Sequence, residues 1–431
     1  MKINKWTKVL CGAGLITLPM LVNADETKNF VETAVSATTL SGYIDTTAFW
    51  APGTGNVNQP GLVPGQGATV LDAFSLNVVS LTIAKPLDES EWAAGYNVQL
   101  LLGPGAAYHG TGQIVDFNSA DIAFNEAYIA LRVPVGNGLD FKVGQFATFN
   151  GYETYDAYKN PNWSRSYGYY IESVAHTGIA ASYKFCDSVS MQLGIANNAG
   201  FNNQEDAKSP IESKKAYMGL ITLTAPESFG FLKGATLSGG ITYGDALLSG
   251  DPTTTPSGSN ISGDPLPAGT TGYSQGNFYV GTTIPLPVTG LSLGLAYDYT
   301  SGSVFKDSYA NAFAQYLVWQ ATEKLKLNLR SDFGWGSNAP VDGTDAYGNT
   351  ETAQGAFGYT SAGNANQLWS LTGTIDYALW KNVISRFEAR WNHCLTGDAP
   401  FGATQAATPG TPLEGGLKND FSLGVNFIYM F

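Results

Sequence analysis

The sequence predicts an all-β fold: a transmembrane antiparallel up-and-down β-barrel of about 16 strands, with short periplasmic turns and long extracellular loops. Three observations predict it. Residues Phe421 to Phe431 place large apolar side chains at Phe421, Leu423, Val425, Phe427, Tyr429 and Phe431, with mostly small or polar residues between. That is the period of a strand, and the length is close to the ~9–11 residues that a tilted strand needs to cross a bilayer. The same pattern recurs back along the chain, separated by connections that are alternately short and long. Finally, only 13% of residues are charged, about half of the ~25% usual in soluble domains, so a large surface faces something other than water.

At the front, Lys2, Lys5 and Lys8 precede an apolar run from Val9 to Val22, and Val22-Asn23-Ala24 offers small residues at cleavage spacing. Residues 1–24 therefore read as a secretory signal peptide rather than an anchor helix, for which the run is too short. Cys11 lies within that run and not at its end, which argues against a lipoprotein site. Residues 25–38 are polar and without period, as expected of a short periplasmic tail, and the barrel is expected over 39–431. No run of about 18 apolar residues follows the signal, so membrane-spanning helices are excluded.

Period-two segments then follow in order. They are Thr39 to Phe49, Phe74 to Ala84, Ala93 to Gly103, Ala123 to Val133, Gly138 to Phe146, Val174 to Phe185, Val189 to Asn198 and Lys214 to Thr224. The second half supplies Lys233 to Tyr243, Ser274 to Pro285, Gly290 to Thr300, Ala310 to Gln320, Thr322 to Gly334, Gln367 to Leu379, Lys381 to Cys394 and the closing segment. Phe74 to Ala84 and Ala310 to Gln320 alternate poorly. Short links such as Pro134 to Asn137 and Leu286 to Thr289 alternate with long Gly/Pro/Asn-rich ones such as Gly244 to Tyr273 and Trp335 to Asn366. An even strand count places both termini on the periplasmic side of a bacterial outer membrane. Trp50, Trp319, Trp335, Trp380 and Trp391 gather at segment ends, which favours interfacial girdles over the core of a soluble sandwich.

Parity sorts the side chains. Leu325, Leu327 and Leu329 oppose Lys324, Lys326, Asn328, Arg330 and Asp332, while Val383, Phe387, Ala389 and Trp391 oppose Arg386, Glu388, Arg390 and Asn392. Lipid tolerates charge on one face only, so the polar set is expected to line the lumen. Sixteen strands enclose more volume than inward side chains fill, so a water-filled channel is expected. The residues expected to line it are Arg132, Lys142, Lys324, Lys326, Arg330, Asp332, Arg386, Glu388 and Arg390, forming either a field that sorts solutes by charge or a set of wall ion pairs.

The third long connection, Ala147 to Ser173, carries Tyr152, Tyr155, Tyr158, Trp163, Tyr167, Tyr169 and Tyr170 together with Glu153, Asp156, Lys159 and Arg165. So many aromatic residues are out of place in a freely solvated loop. The runs Asn125 to Tyr128, Val143-Gly144-Gln145-Phe146, Gly151-Tyr152-Glu153, Asn160 to Ser166 and His176-Thr177-Gly178 resemble the OmpL-like β-barrel porins of the bacterial outer membrane. The resemblance implies passage of small hydrophilic solutes and ions through the outer membrane, by diffusion and without covalent chemistry or a cofactor. By analogy with general porins, it also implies a third loop that either folds into the barrel as a constriction, with Glu153, Asp156, Lys159 and Arg165, or packs over the rim or a neighbouring subunit. Other sixteen-stranded porins lead one to expect a homotrimer.

The alternatives are an envelope anchor or adhesin that binds through its loops, or a solute-selective channel. Three of the 22 basic residues lie in the signal, leaving 19 against 35 acidic ones, so nucleic acid is a poor partner; outer-membrane lipids and small solutes are the expected ones. His109, His176 and His393, with Asp398 and Ser370 as imaginable partners, show no spacing that supports a catalytic triad, and no Cys/His cluster has metal-ligand spacing. The repeated Ser249-Gly250-Asp251-Pro252 and Ser262-Gly263-Asp264-Pro265 read as turns. Cys186 and Cys394 fall at opposite ends of the predicted barrel, so no disulfide joins them.

Overall fold

A computed structural model describes residues 38–52, 73–88, 90–107, 122–199, 215–246, 273–301, 309–337, 366–396, 399, 401 and 416–431. Sixteen antiparallel strands form one closed barrel in which each strand pairs with its neighbours in sequence and the last pairs with the first. They are β1 (Thr39–Trp50), β2 (Ala73–Lys85), β3 (Ala94–Leu102), β4 (Ile122–Val133), β5 (Leu139–Ala147), β6 (Ala175–Cys186), β7 (Val189–Ala196) and β8 (Ala216–Thr224). The circle continues through β9 (Thr236–Ala246), β10 (Tyr273–Pro285), β11 (Leu291–Ser301), β12 (Tyr309–Gln320), β13 (Leu325–Gly336), β14 (Gln367–Tyr377), β15 (Val383–Cys394) and β16 (Asn419–Met430). Each coincides with one predicted segment, shifted by at most a few residues at its ends. The signal-peptide reading lies outside the described residues, as do His109, Asp398 and both Ser-Gly-Asp-Pro repeats.

Closure is made by the strand on which the prediction was built. β16 pairs with β1 from Tyr43↔Met430 to Trp50↔Leu423, and the backbones of Phe431 and Gly42 exchange two hydrogen bonds of 3.0 Å. A closed sheet leaves no unpaired edge, which is the condition for β-structure in a bilayer. The alternation on β16 comes out as read: Phe421, Phe427, Tyr429 and Phe431 are exposed on the outer face, while Asp420, Ser422, Asn426 and Ile428 are buried inside. On β13, Leu329 is 46% exposed and its neighbour Arg330 is 0% exposed.

Two strands that alternated poorly have separate physical reasons. β2 pairs with β1 across a register shift between Asp45 and Thr46, and such a bulge switches the parity of side chains on either side of it. β12 turns Ala310, Ala312, Ala314 and Tyr316 inward, all buried. Its lumen face is apolar because protein, not water, covers it. That covering is the segment from Thr148 to Val174, termed L3, which runs inside the barrel.

The packed interior consists of three hydrophobic clusters where L3 meets the wall. Tyr152 packs beside a cluster containing Phe146, Phe149, Tyr279 and Tyr316; Tyr167 and Ile171 join Ala310, Ala312 and Leu368; and Tyr155 and Trp163 join Tyr43, Val78 and Leu101. A four-residue helix α1 (Pro104–Ala107) follows β3, and a five-residue helix α2 (Tyr167–Ile171) lies within L3.

Candidate functional site: the loop inside the barrel

L3 leaves and re-enters the wall through one doorway. The Thr148 amide donates to the Val174 carbonyl at 2.9 Å, and the Thr148 and Ser173 hydroxyls lie 3.2 Å apart. Just inside, Gly151 has φ +112°, a left-handed conformation that glycine adopts without strain, and a Cβ there would overlap the Glu172 carboxyl. His176, the first buried residue beyond the doorway with a ring nitrogen, contacts the Ser173 hydroxyl at 2.8 Å. The runs that carried the family resemblance therefore build the loop and the frame around it. Gln145 on β5 bonds the Phe124 carbonyl at 2.8 Å, and Asn125 donates to Gln99 at 2.7 Å.

The wall holds the loop by its backbone. Arg330 donates to the Ser164 carbonyl at 2.7 Å, the Arg165 carbonyl at 3.1 Å and the Glu153 carboxylate at 2.9 Å. Arg390 donates to the Arg165 carbonyl at 2.6 Å. Arg386 bonds the Ala157 and Asn160 carbonyls at 2.8 and 3.0 Å and pairs with Asp376 at 2.8 Å. Glu388 receives the Trp163 and Ser164 amides at 2.7 and 3.0 Å, and Asp332 receives the Tyr167 amide at 3.2 Å. Irregular backbone inside a barrel exposes donors and acceptors that must be satisfied, and charged side chains satisfy them with stronger bonds than neutral ones. Because Arg386 sits three residues from the start of β15, the tip of L3 reaches within about 10 Å of the short-turn end at ~3.4 Å per residue.

These positions change the reading of five expected pore-lining residues. Arg330, Asp332, Arg386, Glu388 and Arg390 face inward, as parity requires, but L3 seals all of them from solvent. Their charged ends bond to the loop. Lys324 lies in the exposed β12–β13 turn, outside the strand altogether. Lys326 faces inward 3.8 Å from Asp376, and Arg132 pairs with Asp140 at 2.7 Å, both partly accessible. Lys142 is partly accessible too, its ammonium 4.5 Å from the Tyr128 ring centre.

The four loop residues divide likewise. Arg165 folds back on its own loop, donating at 2.6 Å to the Trp163 and Tyr155 carbonyls. Glu153 is buried against Arg330, with the Tyr316 hydroxyl at 3.1 Å and the Ser166 amide at 2.8 Å. Asp156 accepts from Tyr43 and Gln99 at 2.9 Å each and pairs with Lys159 at 2.7 Å. Burial alone would raise its pKa, but the Lys159 charge and these hydrogen bonds outweigh it and hold the carboxyl below its usual range. Lys159 shows the counterpart: burial would lower its pKa, and Asp156 keeps it well above an ordinary lysine. Of the four, Lys159 alone keeps an appreciable part of its side chain open, 24% of it exposed.

The far end of L3 rests on β11. The Ile171 carbonyl accepts from the Thr300 hydroxyl, and Glu172 lies beside Asp298 in a fully buried setting. Burial, then the Asp298 carboxylate, push the Glu172 pKa well above the normal carboxylate value. Sequence reasoning missed this pair, since Glu172 and Asp298 are far apart along the chain and neither belongs to a motif.

A family model described as beta-barrel porin-2, OmpL-like, matches residues 37–431. The chain belongs to this family. It is accordingly an outer-membrane channel for small solutes. No curated protein matches the sequence. Among solved structures it is similar to the outer membrane channel DcaP of Acinetobacter baumannii, at TM-score 0.55 and 11% identity, covering 93% of this chain and 99% of that one. It is also similar to an anion-selective porin from Comamonas acidovorans, at TM-score 0.53 and 11% identity over 91% and 99% of the two chains. The trimer form of Vibrio cholerae OmpT aligns at TM-score 0.50 and 11% identity over 91% and 99%. At these identities the shared property is the fold.

Family and fold point to a channel without catalysis. His176 and His393 bear on this locally: the first packs against Ser173, and the second stands on the outer face beside Trp391 with Asn419 at 2.8 Å. Among the described residues, no group of three or more His, Cys, Asp or Glu side chains is arranged to hold a metal ion.

Proposed function

We propose that L3 is the constriction of this porin, and that small hydrophilic solutes and ions diffuse passively through the gap it leaves beside β4 to β7. One observation carries the reading. L3 is unevenly covered: most of its length against β11–β16 and β1 is buried and bonded, whereas Gly151, Tyr152, Thr154, Tyr158 and Lys159 keep solvent exposure. Inward residues of the opposite wall, Glu126, Tyr128, Ala130, Lys142, Ser182 and Gln192, are likewise partly open. Bonds on one side and solvent on the other are what a fixed constriction needs. In this reading the short turns and both termini are periplasmic, the residues ahead of Thr39 are the signal peptide and tail, and the protein works as a homotrimer, which the trimer form of the OmpT neighbour supports.

Reconstitution of the full mature chain in planar bilayers tests the proposal. The expected result is stepwise ohmic conductance that rises when 152–162 is deleted. A protein that inserts but stays electrically silent would favour an envelope anchor or adhesin whose lumen is plugged by L3.

A further inference from the structure

The gap described above has a chemical character that the overall charge of the chain hides. On the wall, Lys142 of β5 lies over the Tyr128 ring. Across from it on L3, Lys159 lies 5.4 Å from the Tyr158 ring centre, and Tyr158 is braced edge-on against Tyr43 at 5.1 Å. The two ammonium groups stand within electrostatic reach of each other and of Glu126.

The acids here are already engaged. Glu126 accepts from Asn97 at 3.0 Å through one oxygen and from the Ala147 amide at 3.1 Å through the other. Asp156 takes Tyr43 and Gln99 on one oxygen and Lys159 on the other, and it lies behind the loop with only 4% of its side chain exposed. The ammonium groups are not used up: each carries three donors, of which Lys159 spends one on Asp156 and one on the Tyr158 hydroxyl and Lys142 one on the Tyr128 hydroxyl. The opening is therefore rich in donors and poor in free acceptors. Two like charges facing one gap repel, and an anion between them relieves that repulsion.

We propose that Lys142 and Lys159 form an anion-binding eyelet for small carboxylate-bearing solutes, with the Tyr128 and Tyr158 hydroxyls as further donors. The channel then prefers anions although the mature chain is strongly acidic. Pore selectivity follows the groups at the narrowest point, where desolvation is greatest, more than the total charge. This inference rests on the channel reading of L3.

The test uses the full mature chain in planar bilayers under a tenfold KCl gradient. The expected reversal potential has the sign of chloride preference, with anion permeability several-fold above cation permeability. Sodium acetate or succinate added to one side should reduce the chloride current saturably. Lys142→Gln and Lys159→Gln should each shift the reversal potential toward zero, and the double variant should lose the saturable block. Lys233→Gln removes an equal charge from an exposed turn and should leave both readouts unchanged. Because Lys159 also braces L3 through Asp156, Lys142→Gln on the rigid wall is the decisive single variant. Cation preference in the natural protein, or a reversal potential insensitive to Lys142→Gln, would overturn the eyelet while leaving the porin standing. Absence of any conductance would remove both.

Discussion

Arg330 and Glu153 meet at 2.9 Å with both side chains essentially sealed from solvent, one from the middle of β13 and the other from L3. The wall and its insert are joined there by a buried ion pair, one of the bonds that hold the loop in the lumen. Removing one member of such a pair strands the other, at a cost of about 3–5 kcal/mol. Arg330→Met should therefore free L3, seen as larger and noisier single-channel conductance and trypsin cutting at Lys159 or Arg165. The double variant Arg330→Met with Glu153→Gln should recover much of the loss. Conductance indistinguishable from that of the natural protein would show that the loop is held by other bonds.

Gly151 gives a second test, through geometry and not charge. Its positive φ and the overlap of an added Cβ with Glu172 make Gly151→Ala strained by roughly 1–3 kcal/mol. The expected outcome is faster proteolysis within L3 with heat-modifiable migration of the barrel unchanged. If the loop in this variant resists trypsin as well as the parent does, the doorway is more plastic than the structure implies.

Glu172 predicts a pH dependence. Its pKa is raised in the folded protein by burial and by Asp298, so the folded form holds a proton that the unlocked form releases near an ordinary carboxylate value. The contribution to locking is complete at low pH and is lost as pH rises through the folded pKa. The fraction of time spent in larger-conductance states should grow with pH, and Glu172→Gln should flatten that growth. A slope of opposite sign, or one unaffected by the substitution, would contradict the assignment.

The two cysteines of the barrel report on topology. Cys186 is exposed at the end of β6, and Cys394 is buried at the opposite end of the barrel on β15; both are free thiols. Maleimide should label one site per folded chain and two after denaturation. On the orientation proposed above, with the short turns periplasmic, an impermeant maleimide applied to intact cells should leave Cys186 unlabelled. Labelling from outside would reverse the orientation.

How much of this could be read from the sequence follows from the range of the forces involved. Strand positions depend on residues two apart facing lipid, so β13, β15 and β16 were legible to within about three residues at their ends. The bulges at Asp45/Thr46 and at Gln99/Leu100 depend on partners in neighbouring strands and left only a blurred alternation. The roles of Arg330, Arg386 and Glu388 were not legible: their inward direction was, but what covers them lies more than 160 positions away in L3. The excess of tyrosine and tryptophan in L3 was the available signal that something would cover the wall, and the apolar inner face of β12 was its complement.

Because L3 starts and finishes at a single doorway yet is gripped by side chains from β1 across to β15, it is modular in connectivity and not in chemistry. A transplant of residues 148–174 into another barrel would close without difficulty and then find no guanidinium groups waiting for its carbonyls. Changes in the insert and in the far staves of the cask therefore strand each other's partners unless both are altered together.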